Sequence, residues 1–184
     1  MATKATVYKA HLNVADLDRG HYGDYALTLA CHPSETEERL MVRLLAYALY
    51  ADEQLAFTRG ISTDDEPDLW AKDLTGEIQL WIELGQPDES RIRKACNRAR
   101  QVVVITFGAR ASEPWWDKIQ AGLTRFDNLT VLRIPTEASA TLAAQLDRSM
   151  EWQVTIQDGV ALVSVGTNNV SVAPVVWMSP AGAR

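Results

Sequence analysis

Residues 101–107, QVVVITF, form a continuous apolar run rich in branched side chains. Such a run has no polar side to turn to water, so as a strand it is stable only with both faces covered. Before it, Ile92, Ala95, Cys96 and Ala99 trace the inward stripe of a helix. After it, a second helix begins near Pro114, with Ser112 as its cap, and ends before the strand TVLRIP. Strand, helix, strand in this order implies parallel pairing through a right-handed crossover. The middle of the chain is thereby committed to an α/β core.

Upstream, Pro33 and Ser34 followed by Glu37 read as a capping box, which starts a helix running from about Glu35 to Tyr50. Its apolar stripe is Met41, Leu44, Leu45 and Ala48; Arg39 and Arg43 lie opposite, at a spacing that pairs them with Glu35. Three strands follow: LAFTRGI, a short one around Leu69–Ala71, and EIQLWIEL, in which Trp81 and Glu83 share a face. At the N-terminus KATVYKAHLNVAD alternates and is joined by DLDRGHYG to a strand at Tyr25–Ala30, an antiparallel hairpin. From Met150 onward the chain reads as a β-meander, with Asp158-Gly159 as a two-residue turn and Asn168 and Asn169 punctuating the approach to VSVAPVVW. The expected fold class is mixed α/β (α+β): a central mixed sheet flanked by helices, plus N- and C-terminal β-hairpins that join it or form an adjoining sheet.

The length of 184 residues suits one compact domain spanning 1–184, with 179–184 as a flexible tail. The N-terminus carries no basic segment followed by an apolar one, and no apolar run is long enough to span a bilayer, so a cytoplasmic protein without membrane association is expected. Cys31 and Cys96 read as small buried hydrophobes, and His11, His21 and His32 share no metal-ligand spacing.

The stretch from Glu66 to Gly85, EPDLWAKDLTGEIQLWIELG, carries Asp68 after a proline and Glu83 near a strand end. Carboxylates on neighbouring strands can share one hard divalent cation, and oxygen ligands suit magnesium or manganese. Glu38 projects beside the apolar stripe of its helix, where an acid needs a partner, a metal or a cleft. Asp64, Asp65 and Glu66 crowd before Pro67, and Asp65 is the second choice as ligand should the strand begin earlier.

A helix with Glu38, then strands with Asp68 and Glu83, then a helix and a strand: this order resembles the PD-(D/E)xK phosphodiesterase superfamily. The resemblance implies Asp68 and Glu83 as metal ligands, Glu38 as an auxiliary acid, and a lysine two residues after Glu83. Gly85 stands there instead. Three cations are within reach as substitutes: Lys72, four residues after Asp68, and Arg91 and Lys94 on the following helix. Along nearly the whole chain KATVYKA, NVADLDR, LTLA, HPSETEERL, YADE, FTRG, DDEP, LWIELG, PDE and TIQDGV are similar to the bacterial YaeQ family. That resemblance implies a compact fold related to the nuclease superfamily.

A net charge of −6 opposes general attraction to polyanions, yet Arg91, Arg93, Lys94, Arg98 and Arg100 cluster in one segment and could track phosphates, with Trp115 and Trp116 able to stack bases. Two functions are expected: a magnesium-dependent endonuclease or phosphodiesterase acting on nucleic acid with a variant site, or a non-catalytic nuclease-fold module binding nucleic acid or a protein partner in bacterial regulation or repair.

Overall fold

The structure, a computed structural model, describes residues 4–59 and 65–182. Its elements in chain order are β1 (Thr6–Asp16), β2 (His21–Cys31), α1 (Glu37–Leu49), β3 (Leu55–Phe57), β4 (Leu69–Lys72), β5 (Ile78–Leu84) and α2 (Glu89–Arg98). There follow β6 (Ala99–Thr106), α3 (Ser112–Leu123), β7 (Leu129–Arg133), α4 (Thr136–Ala143), β8 (Ser149–Gln157), β9 (Val160–Val165), β10 (Asn168–Val172) and β11 (Val175–Met178). Gly60, Ile61 and Asp64 of the stretches singled out in the sequence, and residues 183–184 of the expected tail, lie outside the described residues. Contacts divide the chain into two compact units, Met1–Asp52 with Glu137–Ala173, and Glu53–Thr136 with Pro174–Arg184.

The first unit holds a five-stranded mixed sheet in the order β10-β9-β8-β1-β2. The N-terminal hairpin and the C-terminal meander meet there, β1 running parallel to β8. Strict alternation along β8 buries Met150, Trp152, Val154 and Ile156 and leaves the other face in water. At the β8–β9 turn Asp158 and Gly159 both take positive φ, 53° and 74°, the backbone a two-residue hairpin needs. Asn168 and Asn169 lie within β10, so the turn before it falls at Gly166, where φ is 59°.

Helix α1 departs from expectation at two points. Its cap is Thr36, whose side chain accepts from the Arg39 N–H at 3.1 Å, rather than Ser34, which hydrogen-bonds His32 instead. Burial extends round the whole helix from Leu40 to Ala48, and Arg43 is buried with the rest. Its guanidinium meets both oxygens of Glu35, at 3.1 and 3.2 Å, and the Ala30 carbonyl at 2.8 Å. The pair with Glu35 spans eight residues, and Glu35 lies ahead of the helix, so helical spacing does not produce it; it sits in the interior, where a charge requires partners.

The second unit is a six-stranded mixed sheet, β11-β7-β6-β5-β4-β3. The apolar run lies in β6, at the sheet's centre, parallel to β5 on one side and β7 on the other. Ile92 and Ala95 of α2 and Ile119 and Leu123 of α3 pack with Val102 and Val104 of β6 into one core. Ser112 is the first residue of α3 rather than its cap; it is buried and hydrogen-bonded to Thr106 at 2.8 Å. VSVAPVVW is not one strand: Ala173 and Pro174 break it, and β11 pairs with β7 in this second sheet. Among the described residues no helix is long and apolar enough to cross a membrane.

Candidate active site

Asp68 immediately precedes β4, and its backbone is held on both sides. Its N–H donates to the Ile82 carbonyl at 3.0 Å, and its carbonyl accepts from the Thr58 N–H at 3.2 Å. Glu83 is the next residue along β5 from Ile82. Both side chains are inside the protein, each residue 4% exposed. Asp68 Oδ2 accepts from the Leu84 N–H at 2.8 Å. Glu83 Oε1 accepts from Trp81 Nε1 and from Arg91 Nε, both at 2.9 Å. Burial pushes the Glu83 carboxyl above the ordinary glutamate range; the Arg91 hydrogen bond and charge pull it down, and the negative charge of Asp68 pushes it up again. Asp68 Oδ2 thus sits at the backbone of the residue that follows Glu83.

Gly85 has a backbone reason to be glycine. Strand β5 leaves the sheet there with φ +96°, while the Gly85 N–H donates to the Ile105 carbonyl at 2.9 Å. An L-residue is strained in that conformation, so Gly85→Lys is expected to cost about 1–2 kcal/mol, a lower urea midpoint at unchanged slope. An unaltered midpoint would show that the backbone at this exit tolerates a side chain.

The cation that meets Glu83 comes from α2. Asp88 caps that helix by accepting from the Arg91 N–H at 2.8 Å, and Trp115 Nε1 ties down the Pro87 carbonyl at 2.8 Å. Arg91 thus leaves the first turn of a fixed helix and reaches back to Glu83, with Nη2 also donating to the Glu66 carbonyl at 2.8 Å. Of the three cations named from the sequence, it is the one that reaches Glu83. Lys72 is exposed, beyond a register shift between Ala71 and Lys72, and lays its ammonium over the Trp70 ring at 3.8 Å. Lys94 pairs with Asp65 at 2.6 Å. Asp65 turns outward to α2, where the Lys94 hydrogen bond and charge hold its carboxyl below the usual range. Asp64 lies outside the described residues.

Glu38 belongs to the first unit, where its Oε1 accepts from the buried Ser139 Oγ of α4 at 2.7 Å. The sequence reading missed α4 and with it this partner; Ala138, Ser139 and Leu142, its buried residues, were the available signal. The Trp81–Glu83 bond, by contrast, follows from their shared strand face.

Among the described residues no group of three or more His, Cys, Asp and Glu side chains converges. Magnesium commonly takes one or two carboxylates and fills its remaining positions with water and substrate phosphate. Asp68 and Glu83 are two buried carboxylates of that donor type, so the residues present fit that ion.

A family model described as YaeQ protein matches residues 1–174. The uncharacterized protein YaeQ of Escherichia coli (strain K12) is 51% identical over 180 residues, covering 98% of this chain and 99% of that protein. The corresponding Salmonella typhi protein is 49% identical over the same span. A crystal structure of the YaeQ protein from Xanthomonas axonopodis pv. citri superimposes with TM-score 0.93 at 52% identity, covering 96% of this chain and 99% of that one. A second, from Pseudomonas syringae, gives 0.91 at 38% identity, covering 97% and 98%. The same two mixed sheets and four helices therefore recur in crystallised relatives, and the chain belongs to the YaeQ family.

Proposed function

We propose that Asp68, Glu83 and Arg91 form a phosphodiester-hydrolysing site of the PD-(D/E)xK type, dependent on magnesium or manganese and acting on nucleic acid, with Arg91 standing in for the lysine absent at Gly85. The observation that carries this reading is the pair of buried carboxylates, Asp68 and Glu83, with Arg91 bonded to Glu83. A divalent cation bound there would neutralise phosphate charge and lower the pKa of the attacking water. The Leu84 N–H orients Asp68, while Trp81 and Arg91 orient Glu83. The planar fork of Arg91 suits phosphate oxygens and stays protonated at any working pH, so it stabilises developing charge but takes no proton from water.

The test is calorimetric titration of manganese into the protein and into the Asp68→Asn/Glu83→Gln double variant, followed by incubation with single- and double-stranded DNA and RNA. Metal binding and cleavage are expected in the parent and neither in the variant. Absence of metal binding at millimolar concentration, or equal binding by both, overturns the proposal. A second reading, a nuclease-fold module that binds nucleic acid or a protein without cleaving, is favoured by the internal closure of Glu83 Oε1 with Trp81 and Arg91. Retained nucleic-acid affinity in a protein that takes no divalent cation would select it.

A further inference from the structure

Helix α2 carries five basic residues counting its continuation into β6, yet four of them are spent on internal partners. Arg100 pairs with Glu77 at 3.0 Å, away from the site. The other three, Arg91, Lys94 and Arg98, stand at positions i, i+3 and i+7, one face of a helix over about 10 Å of its length. All three point at the same short segment. Arg91 Nη2 donates to the Glu66 carbonyl at 2.8 Å, Lys94 Nζ to Asp65 Oδ1 at 2.6 Å, and Arg98 Nη1 to the Asp65 carbonyl at 2.8 Å. Arg98 is held in place by the Trp81 ring, 5.1 Å from its Cζ, and Trp81 in turn bonds Glu83. A row of cations continuous with the carboxylate pair is thus covered by a row of three oxygens, one of them a full anion.

Three oxygens on three consecutive cations is also how a strand of phosphodiesters would lie there. We infer that Arg91, Lys94 and Arg98 are the backbone-binding row of the nucleic-acid site, and that Asp65 and Glu66 occupy it as an intramolecular mimic which an incoming strand must displace. This deepens the proposed function and rests on it for the identity of the ligand. The mask is weak by construction: the Lys94 and Asp65 side chains are 48% and 79% exposed, and ion pairs in water contribute little. Phosphates bound in its place release condensed counterions, a gain the Asp65 carboxylate does not offer. The mask also reconciles an acidic chain with a polyanionic ligand, since strands that bind too few phosphates fail to displace it.

The experiment measures binding, without cleavage, of a fluorescein-labelled single-stranded DNA oligonucleotide and its duplex in chelator, across a salt series. It uses the parent, Asp65→Asn, and Asp147→Asn, an exposed acid of the first unit that changes net charge equally. Asp65→Asn is expected to bind about three- to fivefold more tightly than Asp147→Asn, the range that an exposed ion pair supplies. Its log–log salt slope should steepen by roughly one, for the one lysine it frees. Adding Lys94→Gln to Asp65→Asn should cancel both gains. Equal affinities for Asp65→Asn and Asp147→Asn, or a gain that survives Lys94→Gln, overturn the mask. Because the binding is read without divalent cation, its failure is separate from failure of the hydrolytic site, which cleavage and metal titration report.

Discussion

Arg91→Met is expected to lower the unfolding free energy by about 2–3 kcal/mol at neutral pH, because it strips a buried carboxylate of its ion-pair partner. The Glu83 side chain is 5% exposed, and in the variant the charge of Asp68 acts on it without the opposing guanidinium. The loss should depend on pH in a definite direction. With its folded pKa above the unfolded value, Glu83 stabilises the fold fully below about pH 4.3, where both states are protonated, and that contribution is lost as pH rises through the folded value. Removing Arg91 raises the folded value further, so the gap between parent and variant should widen as pH rises and narrow toward acid. Urea titrations at a series of pH values measure it. Glu83→Gln placed in the Arg91→Met background should flatten the dependence, because position 83 then carries no group that titrates. A gap that stays constant with pH would mean that Arg91 stabilises through the Glu66 carbonyl alone.

Arg43→Met should cost more, about 3–5 kcal/mol, since both partners of this ion pair are in the interior. The Arg43 and Glu35 side chains are 5% and 3% exposed, and the next cation, Arg39, stands 3.9 Å from Glu35, beyond hydrogen-bonding distance. Losing the guanidinium also deprives the Ala30 carbonyl of a donor, loosening α1 from β2. Against a total stability of about 5–15 kcal/mol such a loss leaves a marginal protein. The double variant Glu35→Met/Arg43→Met is expected to recover most of it, since an apolar pair of similar volume carries no desolvation penalty. Denaturant midpoints for the two variants decide the matter, and a double variant as unstable as the single would show that the pair's hydrogen bonds, not its charges, hold the helix.

How far the sequence alone reached depends on whether a feature is local. The run in β6 was legible because a continuous apolar strand admits one environment, and its parallel pairing with β7 followed from the helix between them. Trp81 beside Glu83 followed from strand alternation. The interior position of Arg43 was not legible, because its pair with Glu35 spans eight residues and depends on how the chain runs into the helix at Thr36. The cap moved from Ser34 to Thr36 because the His32 ring claims the Ser34 hydroxyl and N–H, an interaction outside the capping pattern. Helix α4 was passed over because its residues are small and its stripe short, and the exit of β11 to the second sheet depends on a proline break whose consequence is non-local. At the site, the two carboxylates were named from the strands that carry them. The choice among Lys72, Arg91 and Lys94 was beyond sequence, since it rests on how α2 is oriented by its Asp88 cap and by Trp115.

The most direct test is the anomalous difference map of crystals soaked in manganese chloride. A single peak is expected within bonding distance, about 2.0–2.3 Å, of one oxygen from Asp68 and one from Glu83, with Arg91 still alongside. An empty map between these carboxylates, with Arg91 unmoved on Glu83 Oε1, would contradict a cation-dependent site and leave the cluster as an internal ion pair.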